Sequence, residues 1–296
     1  MLPATVPANA SADFASANTW TGGTTAAQRG GPGGDFAARG ALVSIVTGGT
    51  RARIAVSVRS LRCVANGTMR GTVVARPGGT GDLLAIEVRA RRTLTTNGTY
   101  GRARSRVTLE LTPAAPGKLI GTVRARGRVT LNGRSRPCSM RETVTLRSRA
   151  ALAAPGALAT DPLAPRVGLV ESRIAPRVPG AIALTGRRDG TVHGFWFAHQ
   201  TCRSGTKRSA ADLVNVIERF RIRADGSFRH REVSIIRRRV PEGRSRVRFV
   251  ATISGRIGAD GVARGRIAVQ SRDRVAGFDD LVCRTPSTAF TAAPAA

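Results

Sequence analysis

Aromatic residues make up only 4% of the chain, with one tyrosine, two tryptophans and nine phenylalanines among 296 residues. That scarcity argues against a single-strand nucleic-acid binder, which needs a platform of rings for successive bases to stack on. Acidic residues are also few: 18 against 48 lysines and arginines, for a formal net charge of +30. Lysine itself is nearly missing, at Lys118 and Lys207 alone, so the basic character is almost wholly arginine. A GC-rich genome accounts for arginine replacing lysine, but not for the shortage of Asp and Glu, whose codons are GC-rich too. The excess charge is therefore a physical property, and it points to an anionic partner. No apolar run approaches the roughly 20 residues of a membrane-spanning helix.

Recognisable reaction chemistry is missing as well. G-x-S-x-G, H-E-x-x-H, P-loop and dinucleotide-binding patterns do not occur in a fitting context, and neither do helix-turn-helix, zinc-finger or RNP signatures. No C-x-x-C or close Cys/His spacing suggests zinc. No catalytic residue, cofactor or metal site is predicted. The adjacent acids Asp279 and Asp280 read as an ordinary turn, and His230 reads as a strand-surface residue.

What is present is a doubled β pattern. Residues 1 to 39 are rich in Ala, Gly, Thr and Ser and read as a flexible leader, with "ANASA" having the small-residue character of the end of an export signal. Residues 151 to 179 form an Ala/Pro-rich linker with room for one short strand. Between and after them, 40–150 and 180–293 share landmarks. "GALVSIVTGGT" from Gly40 matches "GAIALTGRRDGT" from Gly180, and "DLLAIEVR" from Asp82 matches "DLVNVIER" from Asp212. "NGTY" at 97–100 matches "DGSF" at 225–228, and "RARGRVTL" from Arg124 matches "VARGRIAV" from Val262.

Period-two alternation in "VTLEL" (Val107, Leu109, Leu111) and "VRFVATI" (Val247 to Ile253), with Asn-Gly and Asp-Gly turns, predicts hairpins. "SAADLVNVIERF" mixes helical spacing with a strand-like partner and is read as strand. The expected fold is all-β: two tandem homologous antiparallel β-sandwich or barrel-like domains.

Each half carries one early and one late cysteine, so domains that fold alone would pair Cys63 with Cys138 and Cys202 with Cys283. Domains stapled in this way belong in oxidising compartments. The arginines recur at alternate positions: Arg102, Arg104, Arg106; Arg124, Arg126, Arg128; Arg219, Arg221, Arg223; Arg244, Arg246, Arg248. On strands each set lines one outward face. Charges about 7 Å apart in water repel by roughly 0.6 kcal/mol before screening, and an anion would relieve that.

One stretch gathers unusual side chains. "VHGFWFAHQTC", 192–202, holds His193, Trp196, His199 and Cys202. Aligned without a gap on the cysteines it matches "RIAVSVRSLRC", 53–63, which sets Phe195 and Phe197 against Val56 and Val58 as core residues. His193 then falls at a strand end, His199 is exposed, and Trp196 matches Ser57 on the outward face. That makes Trp196 a candidate for stacking on a ligand, or for burial beneath the linker or the other domain.

The doubled layout, with its "DGSF" hairpin and late cysteine, resembles exported two-repeat β-rich proteins of high-GC actinobacteria whose function is uncharacterised. The resemblance implies export and carries no catalytic residue. The expectation is a non-enzymatic binding or structural protein, extracellular or at the cell surface. Its arginine faces would meet a cell-wall polymer, an acidic polysaccharide or lipid headgroups. The alternatives are a nucleic-acid binder and a hydrolase using His193 and His199.

Overall fold

The computed structural model describes residues 19–24, 40–60, 63–76, 85–98, 101–131, 134–149, 164–171, 178–186, 189–240 and 243–294. Every element there is a strand, sixteen among the described residues. The first eight are β1 (Thr19–Thr24), β2 (Gly40–Gly48), β3 (Arg51–Arg59), β4 (Val64–Arg76), β5 (Ala85–Gly98), β6 (Gly101–Ala115), β7 (Lys118–Leu131) and β8 (Arg134–Ser148). Each pairs antiparallel with the next, and β1 pairs with β8, so the sheet closes into a barrel. A closed sheet has no edge left to aggregate.

The second eight are β9 (Arg166–Val170), β10 (Gly180–Gly186), β11 (Thr191–Ser204), β12 (Lys207–Arg221), β13 (Ser227–Val240), β14 (Gly243–Ile257), β15 (Ala263–Val275) and β16 (Leu281–Pro294). They follow the same order around a barrel-like sheet, with β9 pairing β16 as β1 pairs β8. The ladder is interrupted at one place, between β12 and β13, which end the hydrogen-bonded order. Gly226 turns the chain there with φ of 79°, a conformation an L side chain resists.

The all-β expectation holds, but the domain boundaries need correcting. Thr19–Thr24 lies inside the expected leader and yet closes the first barrel. Six residues with two glycines are too short to show a period. Gly22 must be glycine, because a Cβ would stand 1.8 Å from the Thr145 carbonyl oxygen. In the expected linker, β9 is a short strand among the described residues and plays the same closing part. The rest of the expected leader lies outside the described residues.

Two of the sequence landmarks also shift. "DLLAIEVR" runs into the fifth strand, whereas "DLVNVIER" lies in the fourth strand of its own sheet, β12. Likewise Asn97-Gly98 ends β5, with Gly98 paired to Gly101, while Asp225-Gly226 joins β12 to β13. The two stretches look alike because they share turn chemistry, not because they occupy one place in the two sheets. Asn66-Gly67, which resembles a turn, is paired within β4 against Ser57 and Val56.

Inside the first barrel, Val43, Ile54, Val56, Val58, Leu109, Leu111 and Val144 belong to one buried cluster. The second interior holds Ile182, Trp196, Phe220, Phe228, Ile253 and Phe290, with Phe228 between Phe220 and Phe290 at ring separations of 5.1 and 6.4 Å. A third cluster lies between the barrels: Leu42 and Ala55 of the first meet Val167, Ala181, Ala183, Phe195 and Phe197 of the second. Thr21 Oγ1 donates to the Gly168 carbonyl across the same contact at 3.0 Å. Along much of their length β2, β3, β10 and β11 are therefore covered on both faces, which explains why apolar residues stand on both parities there. Arg166 enters β9 buried, donating to Gly261 O at 2.7 Å and Ala164 O at 2.6 Å, so the linker is tied to the Asp260-Gly261 hairpin tip.

Both disulfides form as the doubled pattern predicts. Cys63, just before β4, is bonded to Cys138 of β8, and Cys202 of β11 is bonded to Cys283 of β16, directly opposite it. No helix among the described residues is long and apolar enough to cross a membrane.

Candidate anion-binding surface

All twelve arginines singled out in the sequence are exposed. In β6 they alternate with buried Ala103, Ser105 and Val107, so a period of two turns one face to the core and the other to water. The register of β6 on β7 then brings two of the sets together. Arg104 stands opposite Arg128, Arg106 opposite Arg126, and Arg124 opposite Arg141 of β8. Directly opposed Cβ atoms lie about 5 Å apart, and like charges so placed cost about 0.2–1 kcal/mol a pair. Arg104, Arg106, Arg126 and Arg128 have no ion pair among the described residues. The result is a square of four guanidinium groups without an acid, with Arg124 beside it.

The second barrel repeats the arrangement on its own sixth and seventh strands. Arg246 stands opposite Arg274 and Arg248 opposite Arg272, on consecutive outward rungs of β14 and β15. These four, with Val250 and Gln270, line a recess of about 300 Å³. One carboxylate serves it: Asp280 pairs with Arg272 and, at 3.5 Å, with Arg274. Four positive charges thus face one negative. In both barrels the square adjoins the late cysteine's strand, since Cys138 is opposite Gly127 of β7 and Cys283 opposite Ser271 of β15.

The remaining set is dispersed. Arg219 is held by Asp189 at 2.5 Å, and Arg223 lies beyond β12 in the hairpin turn beside Asp225. Arg221 and Arg244 are exposed without sharing the recess. Ser227 holds the Asp225 carboxyl below its usual range, through its hydroxyl first and its amide next, with Arg256 and Arg223 adding to the effect. A hydrogen bond from Arg264 lowers Asp260 in the same way, while Asp260 raises Arg264.

The "VHGFWFAHQTC" strand is turned over relative to expectation. Between Gln200 and Cys202 the pairing of β11 on β12 slips by one residue, a β-bulge. The extra residue sits on β12, so alternation along β11 continues through it, and Trp196 and Cys202 share a parity and are both buried. In the first barrel, by contrast, Cys63 lies beyond the end of β3, with the Ser60 amide donating to its carbonyl. Inward Val56 and Val58 thus stand an odd number of residues before their cysteine while Trp196 stands an even number before Cys202, and an alignment anchored on the cysteines assigns the wrong face. Trp196, expected outward, is 0% exposed in the interior of the second barrel, and offers no surface to a ligand. Phe195 and Phe197, expected in the barrel core, face out into the contact between barrels.

The histidines follow the same reversal. His199, expected exposed, is buried with Nε2 donating to the Val178 carbonyl at 2.8 Å. His193 is half-buried on the same face. Six residues at about 3.3 Å each separate the two by roughly 20 Å, too far to act on one bond. His230 also turns inward, on the Phe228 side of β13, with its ring 6.4 Å from Phe220.

Gln270, Arg272 and Arg274 do not stand out in the sequence alone, and Asp280, read there as part of an ordinary turn, instead holds Arg272 and Arg274. A signal for them exists: counting outward from the Asp260-Gly261 tip sets Arg248 across from Arg272 and Arg246 across from Arg274. No group of three or more His, Cys, Asp or Glu suited to a metal occurs among the described residues. No family model, curated protein or solved structure matches the chain.

Proposed function

We propose that this is a non-enzymatic protein of the cell envelope that binds an anionic polymer or surface through arginine-clad sheet faces. The observation that carries the reading is the recurrence of opposed arginine pairs on the sixth and seventh strands of both barrels. Repulsion between such pairs is unfavourable in the free protein and is relieved by an anion, so the arrangement stores part of its binding free energy in advance. Two disulfides suit an oxidising compartment outside the cytoplasm, in keeping with the resemblance to exported proteins.

The purified protein, with insoluble cell wall, acidic polysaccharide and duplex DNA across a salt series, gives the test. Retention on wall or polysaccharide that falls as salt rises is expected. Binding to DNA alone, with a steep salt slope, would replace the envelope reading with a nucleic-acid one.

A further inference from the structure

The outer faces of β13, β14 and β15 form a grid. One rung carries Arg237, Arg246 and Arg274, the next Ile235, Arg248 and Arg272, and the third Val233, Val250 and Gln270. Charge thus fills one corner and aliphatic side chains the other. Val233 and Ile235 are 43% and 49% exposed, among the few large apolar side chains that the described surface leaves open to water. An isolated exposed valine means nothing, but three contiguous aliphatics abutting a four-arginine recess mark a surface of two chemistries.

We propose that this grid binds an alkyl phosphate: a phosphate monoester carrying an aliphatic chain, as in the headgroup region of a phosphorylated lipid. A phosphate monoester bears about −1.5 to −2 charges at neutral pH and presents three terminal oxygens. Guanidinium forks recognise such oxygens pairwise. Arg246 and Arg248 have no acidic partner among the described residues, and Arg272 and Arg274 share only Asp280. A carboxylate would satisfy one fork, whereas a phosphate engages two or three. The chain then lies along Val250, Val233 and Ile235, which it removes from water. A recess of about 300 Å³ suits a single small headgroup, at the low end of the roughly 300–1,000 Å³ typical of small-molecule sites.

The inference rests on reading the arginine faces as anion sites, but it has its own discriminating residues. Hexyl phosphate and inorganic orthophosphate are titrated calorimetrically into the full chain, into Val233→Ser/Ile235→Ser and into Arg246→Gln/Arg248→Gln. Hexyl phosphate is expected to bind one to one and about tenfold or more tighter than orthophosphate. The Val233→Ser/Ile235→Ser protein should bring hexyl phosphate to the orthophosphate level while leaving orthophosphate binding and polymer retention unchanged. The Arg246→Gln/Arg248→Gln protein should weaken hexyl phosphate about tenfold or more, since the square on β6 and β7 left to orthophosphate is not the one beside the aliphatic corner. Equal affinity for the two ligands in the unaltered protein overturns the proposal even where polymer retention persists. So does hexyl phosphate binding that survives either double substitution, or that never saturates. Loss of polymer retention by the unaltered protein overturns instead the broader reading on which this one rests.

Discussion

Trp196 shows how a single side chain changes meaning with its face. Its neighbours Ile182 and Phe220 lie in the same buried cluster, so its indole belongs to packing. Replacing it with alanine removes a large buried group and leaves a void, at a cost of about 3–5 kcal/mol. Chemical denaturation of Trp196→Ala is expected to show that loss, with retention on an anionic polymer unchanged at temperatures where the variant is folded. Retention lost with stability intact would restore Trp196 as a ligand platform. The identity of the residue as special was legible in the sequence, but its direction was not. Direction depends on Cys63 lying past the end of β3 while Cys202 lies within β11, and the spacing from strand to cysteine does not announce where a strand ends when both of its faces are apolar.

Strands and their staples were far more legible. Alternation in "VTLEL" and "VRFVATI" placed Leu109 and Ile253 inward, where both are found buried. The two cysteine pairs followed from the doubling. Correspondence between strands was harder, because an Asp-Gly or Asn-Gly pair announces a turn without saying which two strands it joins. The closing strand β1 was invisible for a related reason: its glycines answer to backbone beside them, such as that of Thr145, a neighbour distant in sequence. At this scale the disulfides have a measurable weight. Each closes a loop with a sequence separation of 75 or 81 residues, worth about 4 kcal/mol in the chain-entropy account. Substituting Cys202 and Cys283 together by serine is expected to lower unfolding free energy by about that amount. A thiol assay on the native, unreduced protein should find no free cysteine; free thiols would remove the argument for an oxidising compartment.

Across the whole molecule, apolar contact and charge are kept apart. The barrels meet through Leu42, Ala55, Phe195 and Phe197, while the arginine squares sit on β6–β7 and β14–β15. That the charge lay on outward faces was readable from parity alone. That it gathers into squares was not, because the squares exist only once the register sets Arg104 against Arg128 and Arg248 against Arg272.

The central claim is that placement, not net charge, binds the anion. Two charge-matched variants separate these ideas. In one, Arg104, Arg106, Arg126 and Arg128 become glutamine. In the other, the acid-paired Arg149, Arg219, Arg256 and Arg264 do. The measurement is the slope of log affinity for one anionic polymer against log salt concentration, which counts the charges engaged. The account predicts a markedly shallower slope for the first variant and little change for the second. Equal slopes in the two would contradict it.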